Sequence, residues 1–293
     1  MPHLGYNQPT AWPDLGEVRH EFYRLTDRGT MTDAQWHFAA PTRPIEELYD
    51  CQADPWNLVN LAGSKEHKQT LERLREAHGR HSFNDLGFIP ETLAVELFGE
   101  TAPWTVENEY CPNEGRDSDL CRTISAARWA RRIVGRVSPQ LIYDWLRLPT
   151  AGERYWAAVA AISLKKLPKW LVAKLESLLL NDSPCVCIAA ADALARHGHL
   201  SKSTPALIQL LDHDDLTVVL HAARTIELLG PVAGTAVPAM RKLLDRAKRL
   251  RPSDTPATFV QSGDQDLAMF ASFAAREFLK HVEEVPRRAP GTR

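Results

Sequence analysis

The side chains of this 293-residue chain that could do chemistry are few, and they stand in short local patterns. Cys185 and Cys187 would make a redox pair if both thiols were reachable; a one-residue gap in an alanine-rich run reads instead as two small packed residues. His197-Gly198-His199 offers two imidazoles for a metal clip, but no third ligand stands nearby, and the pattern fits histidine in the last turn of a helix. Asp212-His213-Asp214-Asp215 has the composition of a calcium-binding run and falls where a turn is expected. No glycine-rich phosphate loop, nucleophile elbow or His-Glu-x-x-His occurs. Two cationic clusters remain. Arg128, Arg131 and Arg132, with Arg136, form one; Arg241, Lys242, Arg246, Lys248 and Arg249, with Arg251 and opposed only by Asp245, form the other. On one shared face they would hold a sulfated polyanion through charge-assisted hydrogen bonds; otherwise they are solvated helix surface.

These clusters sit in a repeat. Shifting the chain against itself by 32 residues aligns Ile124, Trp156, Ile188 and Leu220, and likewise Ala130, Ile162, Leu194 and Ile226, without a gap. Alanine pairs or triplets lie between them, at Ala126-Ala127, Ala157-Ala158, Ala189-Ala190-Ala191 and Ala222-Ala223. A fifth copy, beginning at Phe270, follows an insertion of about 20 residues around Pro252–Asp266. Small residues at helical spacing let helices approach closely, and the larger aliphatics fill the seam between layers. Gly198 and Gly230 mark where first helices end, Pro205 and Pro238 where second helices begin, and Asp182 and Asp214 lead the turns. No single helix pair buries its apolar face, so the copies must stack. The period and its alanine core resemble HEAT-type helical repeats, which implies architecture and no chemistry.

The first hundred residues read differently. Residues 1–45, rich in Pro, Gly, Asn and aromatics, suggest loops with one or two short strands and one short helix. A strand is expected at 47–50 with Leu48 inward, ending at Asp54-Pro55. Ser64 is placed to cap a helix from Lys65 to His78 with Leu71 and Leu74 buried. Charge divides the same way. Residues 1–100 carry 9 basic against 16 acidic side chains, and the remainder 26 against 21. The whole is near neutral at −2, with 44% hydrophobic residues and five cysteines, which argues against a nucleic-acid binder, a disordered chain and a disulfide framework. No apolar run reaches membrane-spanning length, and no secretory signal is visible at Met1.

Arg43-Pro44-Ile45-Glu46-Glu47-Leu48-Tyr49-Asp50, then Asp54-Pro55, Asn60-Leu61-Ala62 and Leu71-Glu72-Arg73-Leu74, resembles the C-terminal segment of the sulfatase family. Met1-Pro2-His3-Leu4-Gly5-Tyr6 and Asp85-Leu86-Gly87-Phe88-Ile89-Pro90 are similar to the flanks of that segment in the heparan N-sulfatase-like group. Cys51 and Asn57 depart from the family, which often has leucine and an acidic residue there. The resemblance implies a formylglycine nucleophile made from Cys-x-Pro-x-Arg and a calcium cage that stabilises charge on the sulfuryl oxygens. None of Cys51, Cys111, Cys121, Cys185 and Cys187 has proline two positions on. The resemblance also places a loop carrying His3 and Tyr6 near the substrate pocket, against the plainer reading of a surface loop at a frayed N-terminus, and a large catalytic domain upstream of Met1.

The resulting expectation is an α+β sulfatase C-terminal subdomain over 1–100, a linker over 101–117, an all-α HEAT-like solenoid over 118–285 and a tail over 286–293, mainly α overall. Its catalytic half would lie elsewhere, so this chain alone would hold no cofactor and no catalytic residue. Calcium and formylglycine would belong to a complete relative, exported with its own leader. Expected partners are that upstream catalytic domain and a protein or sulfated glycan on the solenoid. The alternative is a non-catalytic helical-repeat scaffold that binds a protein or a sulfated polyanion.

Overall fold

The structure, a computed structural model, describes residues 17–40, 43–44, 46–81, 91–98, 119–132, 138–250 and 263–284. The chain divides into two compact units, Met1–Phe83 and Asn84–Arg293. His3, Tyr6, the linker 101–117 and the tail 286–293 lie outside the described residues.

The first unit contains α1 (Glu17–Arg28), α2 (Asp33–Ala39), a 3₁₀ turn (Leu61–Gly63) and α3 (Lys68–His81). Thr32 and Gln35 start α2 with a reciprocal capping box, Gln35 N to Thr32 Oγ1 at 3.3 Å and Thr32 N to Gln35 Oε1 at 2.9 Å. The α+β expectation is corrected here: no strand occurs among the described residues, and 17–39 forms two helices. The segment 47–50 has no regular secondary structure and, among the described residues, pairs with no strand. Its Leu48 N donates to Asn60 Oδ1 at 3.0 Å, and its Leu48 carbonyl accepts from Leu61 N at 2.7 Å. One side chain and one turn amide therefore satisfy the backbone that a ladder would otherwise require. Asn60 completes the bracket by accepting from Ala62 N and donating Nδ2 to the Glu46 carbonyl, both at 3.0 Å. Ser64 closes the 3₁₀ turn instead of opening α3, which starts three residues later than expected, and Leu74 is 42% exposed while Leu71 is buried.

The second unit is all helix among its described residues. It comprises α4 (Glu91–Phe98), α5 (Asp119–Arg132), α6 (Pro139–Trp145), α7 (Ala151–Ala161), α8 (Lys169–Ser177), α9 (Pro184–Arg196), α10 (Leu200–Leu210), α11 (Leu216–Leu229), α12 (Val237–Leu250) and α13 (Gly263–Glu284). The 32-residue lattice falls on α5, α7, α9 and α11, and the fifth copy on α13. These five pack in chain order, α5 on α7, α7 on α9, α9 on α11 and α11 on α13. A second layer leans on them: α6 on α7, α8 on α9, α10 on α9 and α11, α12 on α13. The alanine pairs are at most 4% exposed, and α9 is buried from Cys185 to Ala195, feeding one core toward α7 and another toward α11.

Local chemistry sets the ends. Thr150 and Glu153 form a capping box on α7, and Ser138, Ser183 and Asp215 cap α6, α9 and α11. Gly198 and Gly230 adopt φ of 84° and 63° just beyond α9 and α11, a region that disfavours any side chain. Pro205 does not open α10. It lies inside that helix on its exposed side. The run Leu216–Leu250 has the length and hydropathy of a membrane span, but Gly230 breaks it and most of its apolar window is core. The small helix α4 straps two of the stacked helices. The Glu96 carboxylate accepts from Ser183 Oγ and from Cys185 N at the N-terminus of α9. Thr92 donates to the Thr217 carbonyl at 3.3 Å and lies 3.2 Å from His221 Nδ1 on α11.

Two predictions follow from this packing. At Gly152 an added Cβ would stand 1.8 Å from Thr123 Oγ1 and 2.6 Å from its Cβ, so α5 and α7 touch through a glycine. Gly152→Ala should lower stability by roughly 1–3 kcal/mol, read as a shifted urea midpoint at constant slope. Burial pushes the His221 imidazole down from 6.5 to about 4. Between these two values the unfolded chain binds the extra proton, so stability falls as pH drops through that window. Burial holds Asp192 above the usual carboxylate range, desolvation does the same for Glu96, and both act with the opposite sign. The difference between the chain and its His221→Gln variant therefore isolates the histidine. Its contribution should shrink by up to about 3 kcal/mol between pH 7 and pH 4.

Candidate functional site

Four of the five expected cations of α12 are engaged within the fold. Arg241 pairs with Glu283 at 3.0 Å, Lys242 with Asp212 at 2.8 Å and Lys248 with Asp245 at 3.6 Å. Arg246 donates to the carbonyls of Leu211 at 3.1 Å and His213 at 2.9 Å, so it closes the turn between α10 and α11. Lys242, Arg246 and Arg249 do meet, around a hollow of about 310 Å³, but Asp212 and Asp214 line it with them. Arg128, Arg131 and Arg132 sit on α5, and their side chains lie outside the described residues.

The other sequence candidates have structural work as well. Burial raises both the Cys185 and Cys187 thiols, which lowers the thiolate fraction a nucleophile needs. Cys187 Sγ reaches the Asn181 carbonyl at 3.2 Å. His197 Nε2 meets the Ala161 carbonyl at 3.1 Å, tying the end of α9 to the end of α7. In the Asp212–Asp215 run, Asp215 caps α11 and its own amide donates to His213 Nδ1 at 3.0 Å. Among the described residues no group of three His, Cys, Asp or Glu side chains is placed to hold a metal ion.

The unbalanced charge lies on the two flanks of α8. Leu171 and Leu175 turn inward, so residues one position before each of them, Trp170 and Lys174, share one flank at i and i+4. Facing that flank are Tyr143 of α6, Arg147 in the following turn and Arg154 of α7. Tyr143 meets Trp170 edge-on at 5.4 Å between ring centroids, and the Arg147 guanidinium lies 5.8 Å from the Tyr143 ring. On the opposite flank a hollow of about 420 Å³ is lined by Lys165, Lys166, Lys169, His197 and His199, with Glu176 as its acid. Glu176 is itself paired with Lys202 at 2.6 Å. Such a surface attracts and orients anions; it holds no activated nucleophile. Sequence reasoning missed Arg147, Arg154, Trp170 and Lys174 because they come from three elements and form no run, whereas Lys165-Lys166-x-x-Lys169 is a visible cluster.

No family model matches the chain, and no solved structure matches it. Over 131 residues it is 28% identical to an ulvan-active sulfatase of Formosa agariphila, a match that covers 43% of this chain and 22% of that protein. The similarity supports a sulfatase-family relationship. The chain thus spans about a fifth of the sulfatase it matches, at 22%. Cys-x-Pro-x-Arg, the source of the formylglycine implied by sulfatase kinship, does not occur in this sequence.

The fate of the α12 cations can be tested directly. Arg246→Ala should cost about 1–2 kcal/mol in a urea titration by freeing two carbonyls. Retained stability would show that Arg246 is available to a ligand.

Proposed function

We propose that this chain is a non-catalytic C-terminal part of a sulfatase-type protein, whose HEAT-like helical unit holds a sulfated glycan for a catalytic domain carried elsewhere. The observation that carries this reading is the excess of cations on both flanks of α8: Lys165, Lys166 and Lys169 line a hollow with Glu176 as its acid, and Arg147, Arg154 and Lys174 stand on the other flank. The similarity to a sulfatase named for ulvan supports a polyanionic sugar as the ligand. The flanking runs Met1-Pro2-His3-Leu4-Gly5-Tyr6 and Asp85-Leu86-Gly87-Phe88-Ile89-Pro90 support the finer placement beside the heparan N-sulfatase-like group. A helical stack that scaffolds a protein is the second reading, favoured by the nearest-neighbour packing of α5, α7, α9, α11 and α13.

Dextran sulfate and neutral dextran separate them. The purified chain should bind dextran sulfate and not dextran, with affinity falling at least about tenfold from about 50 to about 300 mM NaCl. It should not hydrolyse a fluorogenic aryl sulfate. Turnover of that ester would overturn the non-catalytic assignment, and absent or salt-insensitive binding would leave the protein scaffold.

A further inference from the structure

The two flanks of α8 differ in kind. The hollow on one side mixes lysine and histidine with Glu176. The other side brings three cations to one place beside an aromatic wall. Burial, and after it the like charges of Arg147 and Arg154, push the Lys174 ammonium below the usual lysine range. Crowding of this kind costs free energy in the empty protein and is relieved by an anion. Arg154 cannot swing away. Its Nη1 is fixed on the carbonyls of Leu148, at 3.0 Å, and Pro149, and its Nε is buried without a hydrogen-bond partner. A buried donor left unmet is uncommon in folded proteins. Beside these groups Trp170 is 44% exposed, steadied by the edge contact with Tyr143, whose own ring neighbours Arg147.

Each part constrains the ligand. Two guanidinium groups and an ammonium match an anion with several acceptor oxygens that stays ionised at every physiological pH. A half-exposed indole beside them offers a flat apolar platform for a ring with a C–H face. An acidic peptide supplies charge but has no use for that platform. We propose that Arg147, Arg154 and Lys174 form a sulfate-ester subsite and that Trp170 seats the sugar ring carrying the ester. The assignment rests on the glycan-binding reading above and gives it a location, on the α6–α7–α8 flank and away from the α12 cluster.

The test uses the intact chain with dextran sulfate as probe and lysine acetylation, read by mass spectrometry, as footprint. Dextran sulfate should slow acetylation of Lys174 by about fivefold or more while leaving Lys248, which pairs with Asp245, unchanged. Neutral dextran should protect neither. Arg147→Ala and Trp170→Ala should each weaken dextran sulfate binding about fivefold or more at unchanged circular dichroism and melting temperature, and Lys248→Ala should not. If wild-type binding is strong and salt-dependent but Lys174 stays reactive and both variants bind normally, the subsite is wrong and the broader function stands. If the chain does not bind dextran sulfate at all, the broader function fails with it. Equal protection of Lys174 by poly-L-glutamate would replace the sugar by an acidic peptide and overturn the assignment.

Discussion

The contact on which the helical unit depends is the close approach of α5 and α7 at Gly152. No side chain separates that backbone from Thr123, and the seam continues as buried alanines along α7, α9, α11 and α13. Alanine contributes little apolar area, so its value here lies in the short interaxial distance it permits and the dispersion contacts that distance brings. The larger residues Ile124, Ile188, Leu194 and Ile226 then fill what the alanines leave open. Because each first-layer helix touches the next one along the chain, an error at one seam is felt mainly by two helices. α9, buried along most of its length between two cores, is where such an error would reach furthest.

That constraint decides which residues can serve a function. Most of the first layer is consumed by packing, so exposed chemistry falls mainly to α6, α8, α10 and α12, with Arg154 contributed by α7. Of these, α12 is the most cationic in sequence, yet Arg241, Lys242 and Lys248 each meet a carboxylate, of Glu283, Asp212 and Asp245. A run of basic residues is thus a poor guide to a binding surface when acids stand opposite it. α8 carries fewer cations, but the positions facing it contribute Arg147 and Arg154 rather than carboxylates. Charge that the fold does not neutralise is what a ligand can use.

The helical stack was largely legible because its cause is local and repeated: alanines at helical spacing and glycines whose positive φ closes α9 and α11. The details that failed were those decided by one atom. Ser183 and Asp215 cap the helices, each one residue after the aspartate expected to lead the turn. Pro205 rides within α10, on its exposed side. The strand at 47–50 failed for a non-local reason, since its amide found the Asn60 side chain twelve residues away. The α6–α7–α8 cluster was invisible because its members lie up to 31 positions apart, from Tyr143 to Lys174, and only helix packing joins them.

The segment that carries the sulfatase resemblance is itself an argument about function. Its distinctive residues are spent on the backbone. Asp50 caps the amides of Gln52 and Ala53, Asp54 accepts from Val59 N at 2.7 Å, and Asn60 brackets Glu46, Leu48 and Ala62. Asn57 sits at a φ of 54°, which asparagine tolerates better than most residues. Glu46 is held in turn by Arg75 of α3 through two guanidinium nitrogens. Side chains spent on the backbone in this way set local shape, so likeness in this segment leaves the reaction undetermined. Such side chains are not open to another role, whereas Lys165, Lys166 and Lys169 beside α8 line an open hollow.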